Sequence, residues 1–329
     1  MAININVSNL KKSTAASITS VTLERSTVKL SEPHSQEWLN SGVDPEIISL
    51  NVRSIAGQQI IAHLKIDNLS HWALQRRYSE VLKGGWVCGT VFKANTPRQI
   101  KGKPVKYENP TGIEIQPIKL QLPESIWQQI ATKYKVEKPE NMDGWEWVAA
   151  NPIIPVAVVE GVKKAGAVIT SQLIPTIALS GHRTAYCYEG DLRFSEFLHS
   201  QRSIYLCFDN DEKTSTRLEV AKTIQGVIQR ITRDSNHKLL PQARANLKIC
   251  QWQGLKGIDN VLMVSGAATV TSIFNTAVSW INWVDDSSNT LGFKPVITFN
   301  APQFKYVELH PETTLIGIKS ARVAVKLGT

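Results

Sequence analysis

Two kinds of hydrophobic pattern meet near residue 150 of this chain. Before that point, apolar positions recur in short stretches at helical spacing. One such stretch runs from Glu37-Trp38-Leu39 to Ile47-Ile48. It is broken at Gly42 and restarts at Asp44-Pro45, where Asp44 suits an N-cap and Pro45 the first helical position. Residues 84–112 read as loops and short strands. Residues 122–150 carry Trp127, Trp145 and Trp147 in a helical context, which predicts core anchors. From Asn151 the pattern changes to apolar runs of strand length separated by helical segments. Strands are expected over 155–160, 176–180, 203–208 and 247–252. Helices are expected over 162–172 and 214–233, with a short one near 192–199. The 214–233 segment puts Leu218, Ala221, Ile224, Val227, Ile228 and Ile231 on one face.

Strands alternating with helices imply βαβ units and a parallel sheet with helices on both faces. The expected fold is therefore α/β: a parallel sheet flanked by helices over 151–265, preceded by a mixed α+β region over 31–150. Residues 1–30, rich in Ser and Thr, are expected to be a disordered tail. Residues 266–329 form a C-terminal extension, with a helix-like stretch to about Trp283, a turn at 285–289 and β-like pieces beyond.

Composition narrows the function. The chain has 329 residues and a formal net charge of +9, a balance that favours a polyanionic partner, most simply nucleic acid. Its four cysteines show no CxxC and no zinc spacing, as in a reduced, cytoplasmic protein. No apolar run reaches the length of a membrane span, and the N-terminus has no signal-like core.

The candidate chemistry lies at strand ends. Val-Ala-Val-Val-Glu at 156–160 and Ile-Tyr-Leu-Cys-Phe-Asp-Asn-Asp at 204–211 are apolar runs that end in acid. In a parallel sheet, ligands bind at the carboxyl ends of the strands, where Glu160, Asp209 and Asp211 fall. Carboxylates gathered there repel unless a cation holds them, and Mg²⁺ or Mn²⁺ handling a phosphodiester suits that chemistry. Lys163 and Lys164 follow in the first helical turn, as candidates for phosphate capture or for a plain ion pair with Glu160. Lys256 and Asp259 follow the last strand. Asp259 is either a further metal carboxylate or the cap of a helix over 260–264. Lys93, Arg98, Lys101, Lys103 and Lys106 fall in fourteen residues without an acid, flanked by Phe92 and Tyr107. They suit a single-stranded backbone with stacked bases, or else form a solvated loop. Of the histidines, His182 alone follows a strand closely enough to face the site.

Taken together, Val-Val-Glu-Gly-Val-Lys-Lys-Ala (158–165), Ile-Ala-Leu-Ser-Gly (177–181), Cys-Phe-Asp-Asn-Asp (207–211) and Lys-Gly-Ile-Asp-Asn (256–260) resemble, in order and spacing, a Toprim domain. The set is most similar to Toprim-like modules of plasmid- and phage-type replication proteins, notably cyanobacterial, that often precede a helicase-like ATPase. Glu37 to Gly42 and Lys106 to Pro110 share the likeness, which covers roughly 31–265.

The resemblance implies Glu160 as general acid/base or metal contact, Asp209 and Asp211 as metal ligands, and Lys164 and Lys256 near phosphates. Asn260 stands where the pattern has a second acid. Residues 315–322 look like a strand entering a phosphate-binding loop, but Val323 to Leu327 lack its glycines and Ser/Thr, so no ATPase activity is expected. The implied activity is a Mg²⁺-dependent, primase-like nucleotidyltransferase of a mobile element that binds single-stranded DNA and nucleotides, with a helicase-like ATPase supplied on another chain. The alternatives are a Toprim-type nuclease and a non-catalytic DNA-binding remnant of a longer replication protein.

Overall fold

The structure, a computed structural model, describes residues 30–186, 191–234, 238 and 240–283, and the backbone of four strands beyond them. The expected tail over residues 1–29 and the turn at 285–289 lie outside the described residues, as do residues 315–318 and 325–329 of the expected loop approach.

The N-terminal region opens with α1 (Glu32–Leu39) and α2 (Pro45–Asn51). They are separated where Gly42 takes φ 75°, and Asp44 caps α2 by accepting from Glu46 N at 2.7 Å. Next come β1 (Arg53–Ile55), α3 (Gln58–Leu64), α4 (His71–Tyr78), β2 (Gly85–Cys88) and β3 (Val91–Ala94). β1, β2 and β3 form a small antiparallel sheet. β4 (Gln99–Ile100) and β5 (Lys103–Pro104) make an exposed hairpin. The chain then returns to pair Phe92 with Glu108. β6 (Ile118–Lys119), α5 (Glu124–Tyr134) and α6 (Gly144–Ala150) complete the region. Trp127, Trp145 and Trp147 are buried and meet edge to face at 5.8 and 6.2 Å, as core anchors should.

The second half runs β7 (Val156–Glu160), α7 (Val162–Gln172), β8 (Thr176–Leu179), β9 (Ser203–Cys207), α8 (Thr214–Thr232), β10 (Asn246–Ile249), α9 (Ile258–Asn275) and β11 (Val278–Ser279). The six-stranded sheet has the order β11-β10-β9-β7-β8-β6. β10, β9, β7 and β8 are parallel, and the short edge strands β11 and β6 are antiparallel. The fold is thus α/β with a mostly parallel sheet flanked by helices. Residues 156–159 are all fully buried, as a strand covered on both faces requires. The edge strands come from before residue 151 and after residue 265. Beyond them, β12 (Ile297–Asn300) pairs with β13 (Gln303–Tyr306), and β14 (Glu308–Thr314) with β15 (Lys319–Ala324).

Three local expectations are corrected. The last parallel strand ends at Ile249, so Cys250, Gln251 and Trp252 belong to a loop rather than to a strand reaching 252. Where a short helix was expected over 192–199, the described residues carry only a 3₁₀ turn, Ser195–Phe197. The last helix begins at Ile258 rather than at 260 or 266. Asp259 is its second residue, and Gly266 (φ 81°) kinks it midway. The strand shortens because Cys250 N still donates to Leu206 O at 2.9 Å but the chain then turns toward Lys256.

One buried cation ties the two halves together. Arg202, fully buried just before β9, donates to Ile154 O at 2.5 Å, Val148 O at 2.7 Å and Ala149 O at 2.9 Å. Burial lowers its pKa to about 10. Arg202→Leu leaves those carbonyls without donors and is expected to destabilise the protein by about 3 kcal/mol, read from the urea midpoint.

Candidate active site

The site begins with the strand ends. β7 delivers Glu160 and β9 delivers Asp209 two residues after its last paired residue. Because β7 and β9 are neighbours in the sheet, the two acids meet: Asp209 N donates to Glu160 Oε1 at 3.3 Å. Gly161 (φ 94°) turns the chain into α7, and its backbone angle favours glycine. Lys164, one turn into α7, then reaches back. Its Nζ lies 2.7 Å from Asp209 Oδ1 and donates to Glu160 O at 3.0 Å. The ion-pair partner of Lys164 is therefore Asp209, not the Glu160 carboxylate. Asp211 stands apart: Lys256 Nζ pairs with its Oδ2 at 2.8 Å, and Lys213 N donates to its Oδ1 at 3.0 Å. Lys256 and that backbone N–H hold the Asp211 carboxyl below its usual range, while Asp211 chiefly, then Asp209 and Glu160, raise the Lys256 ammonium. Acids and lysines thus alternate along one sheet edge.

Two further groups reach that edge. His182 Nδ1 sits 3.8 Å from Glu160 Oε2, and neither ring nitrogen has a hydrogen-bond partner among the described residues. Asp259, on the first turn of α9, keeps a buried Oδ1 without a hydrogen-bond partner. Gly257 makes room for this: a Cβ there would lie 2.4 Å from Asp259 Oδ1 and 2.6 Å from Lys164 Cε.

The basic run of residues 93–106 is divided by the fold. Arg98 forks onto Glu108 at 2.6 and 2.8 Å and stacks over Tyr78, so it braces the loop. Lys101 and Lys103 stay exposed on the β4–β5 hairpin. Lys106 is brought to the carboxylate edge. Although the residue is exposed, loss of water around the packed site lowers its pKa most, followed by the charge of Lys164; Asp209 and Asp259 act in the opposite sense. Neighbouring Tyr107 has its phenol pushed above the usual range by burial and then by Glu37, Asp259 and Asp209.

Lys93 and Lys163 converge on a residue that was not a candidate for the site, Glu37 of α1. Its Oε1 lies 2.7 Å from Lys93 Nζ and 2.9 Å from Lys163 Nζ, and its Oε2 accepts from Trp86 Nε1 at 3.0 Å. Burial raises the Glu37 pKa, but the donors outweigh it and hold the carboxyl down to about 2. Glu37 stands between Gln36 and Trp38, and a single acid there gives no sign in sequence that two lysines will converge on it.

The donor chemistry fits a hard divalent cation, since every candidate ligand is a carboxylate and the buried Asp259 Oδ1 lacks a partner. Among the described residues, however, no three His, Cys, Asp or Glu side chains converge as a ready metal cluster. No described helix is long and apolar enough to cross a membrane.

Residues 144–269 match the family model described as a domain of unknown function, DUF3854. That span holds Glu160, Asp209, Asp211 and Asp259. An uncharacterised protein of Picosynechococcus sp. is 30% identical over 353 residues, which cover 94% of this chain and 34% of that protein. The chain therefore spans about a third of the length of this relative.

Among solved structures, the chain is similar to the Aquifex aeolicus primase zinc-binding and RNA polymerase domains, with TM-score 0.44 and 12% identity over 79% of this chain and 59% of that chain. It is also similar to a DnaG primase catalytic domain bound to single-stranded DNA, with TM-score 0.44 and 12% identity over 78% and 76%. For a DNA primase domain from Pseudomonas aeruginosa the values are 0.43 and 14% over 80% and 78%.

Two outcomes are expected. Glu37 has a folded pKa below its ordinary 4.5, so its stabilisation is present above about pH 4.5 and is lost as pH falls toward 2. Glu37→Gln should remove on the order of 3 kcal/mol at neutral pH and flatten the loss of stability between those pH values in urea titrations. Gly257→Ala should push Lys164 Nζ beyond ion-pair distance of Asp209 in a crystal structure of the variant. Gly181→Ala, which meets nothing within 4 Å, should leave that pair intact.

Proposed function

We propose that the chain is a primase-like nucleotidyltransferase that binds single-stranded DNA and acts in DNA replication with Mg²⁺ or Mn²⁺. The observation that carries this is the alternation of Glu160, Asp209 and Asp211 with Lys164 and Lys256 at the carboxyl edge of a parallel sheet, with Lys106 facing them. Such an edge presents cations to phosphate oxygens and carboxylates to a divalent cation. The Toprim-like order of motifs through the same residues supports the assignment.

In this reaction the 3′-hydroxyl of a growing strand attacks the α-phosphorus of a nucleotide, and pyrophosphate leaves. Lys164, Lys256 and Lys106 hold the phosphates. Glu160, whose Oε2 faces His182, is the group placed to take the hydroxyl proton. Glu160, Asp209 and Asp211, with Asp259 behind Lys164, are the residues that would hold the cation, which supplies charge neutralisation at the phosphates. The exposed Lys101 and Lys103 would guide the DNA backbone together with Lys93 and Lys163, while Arg98, held by Glu108, braces the loop that carries the hairpin. Residues 93 and 163 keep one net positive charge between them after Glu37. A mobile-element setting and a helicase-like ATPase on another chain belong to the same proposal, on the strength of the motif resemblance.

A second reading has its own support. Each aspartate of the pair already holds a lysine, and no three ligands converge among the described residues. That arrangement suits a module that binds DNA without turnover.

One gel separates these. The protein is incubated with single-stranded DNA, labelled ribonucleotides and Mg²⁺ or Mn²⁺, beside Asp209→Asn/Asp211→Asn. Longer, metal-dependent products are expected, reduced by about two orders of magnitude or more in the double variant. Shortened DNA with the same dependence makes the protein a nuclease. Unchanged DNA with both proteins, accompanied by retained DNA binding, makes it a binding module.

A further inference from the structure

Beside the carboxylate edge, the described residues line an open cavity of about 710 Å³ whose floor takes no part in the site described above. It lies between the first half of α8 and the ends of β9 and β10. Its floor is apolar: Leu206 and Ile249 from the strands, with Val220, Ala221 and Ile224 from the helix. Phe208, Trp252 and Trp283 add aromatic surface, and Asp209 and Asp211 form the rim it shares with the candidate active site. The volume falls within the range of small-molecule sites, and an apolar bed with a few polar groups at its mouth is their usual construction.

We propose that this cavity receives the base and ribose of a nucleotide whose phosphates lie toward Asp211 and Lys256. The inference rests on the nucleotide-handling function proposed above and names the place where the nucleotide is held. Three features select this ligand class. Aromatic and branched side chains make a bed on which a planar ring loses water and gains stacking. Gln251 and Gln253 line the mouth, and their side-chain amides have no partner among the described residues. An amide both donates and accepts, as the edge of a base requires. Arg217, exposed on the first turn of α8, likewise has no partner for its guanidinium among the described residues and lies within reach of an anionic tail. A purely apolar ligand would gain nothing from these exposed groups, and a single-stranded backbone would not use the buried floor under α8.

The test is calorimetric titration of the whole chain with ATP and with adenosine, without divalent cation and then with Mg²⁺, backed by the quench of tryptophan fluorescence. Val220→Trp fills the cavity from a half-buried position, and Arg217→Ala removes the cation from an exposed one. The latter variant leaves the core untouched and so keeps the test valid should the first fail to fold. The expected result is saturable ATP binding by the wild type, weakened about tenfold or more by Val220→Trp. Arg217→Ala should weaken ATP by about tenfold and adenosine hardly at all. Equal ATP affinity in the wild type and both variants overturns the proposal, as does a wild type that binds no nucleotide.

The outcome is separable from that of the strand-lengthening assay. If Val220→Trp lengthens strands with an unchanged KM for nucleotide, the cavity is not the base site and the polymerase function stands. If the wild type lengthens nothing but loses ATP binding on cavity filling, the cavity stands and the polymerase function falls.

Discussion

Carboxylates brought to one edge of a parallel sheet must be neutralised where they meet, and most of the organisation of this protein follows from how that is done. Glu160 and Asp209 are forced together by strand adjacency, since Asp209 follows β9 and Glu160 ends β7. Lys164 answers Asp209, Lys256 answers Asp211, and Gly257 is small so that Lys164 and Asp259 can pack against it. Like charges at this spacing would otherwise destabilise the fold, because partly buried carboxylates lose the water that screens them.

The same constraint links the two halves of the chain. Lys163 is the neighbour of Lys164 on α7, and successive residues on a helix point about 100° apart. One lysine therefore turns to the sheet edge and the other to Glu37, which also gathers Lys93 and Trp86 from the small antiparallel sheet. That junction holds the N-terminal region against α7, and the return of the chain from the β4–β5 hairpin through the Phe92–Glu108 pairing brings Lys106 and Tyr107 near enough to feel the charges of Asp209 and Asp259. The junction at Glu37 and the carboxylate edge are thus held by adjacent residues of one helix, Lys163 and Lys164.

Much of this was legible beforehand. The apolar runs ending in Glu160 and before Asp209, the glycine after the first and the long periodic helix over 214–232 are local signals, and each produced its element nearly where expected. The tryptophans of α5 and α6 were legible as core for the same reason. Less visible were the edge strands β6 and β11, two residues each, which are too short for any period and are made by their neighbours. The end of β10 at Ile249 was hidden as well, since Cys250 and Trp252 look like strand residues but are turned aside by the loop to Lys256.

By itself, the sequence determined the alternation of strand and helix and the placing of acids at strand ends, because each depends on residues close together along the backbone, and the basic balance of the chain, which is a sum over residues whatever the fold. Tertiary structure alone decided the strand order β10-β9-β7-β8, the choice of Asp209 over Glu160 as the partner of Lys164, and the division of the basic run among a brace, an exposed hairpin and the site. Those outcomes depend on which side chains meet across long stretches of sequence. Charge pairing over a few ångströms is set by packing of the whole sheet, and no local pattern records it.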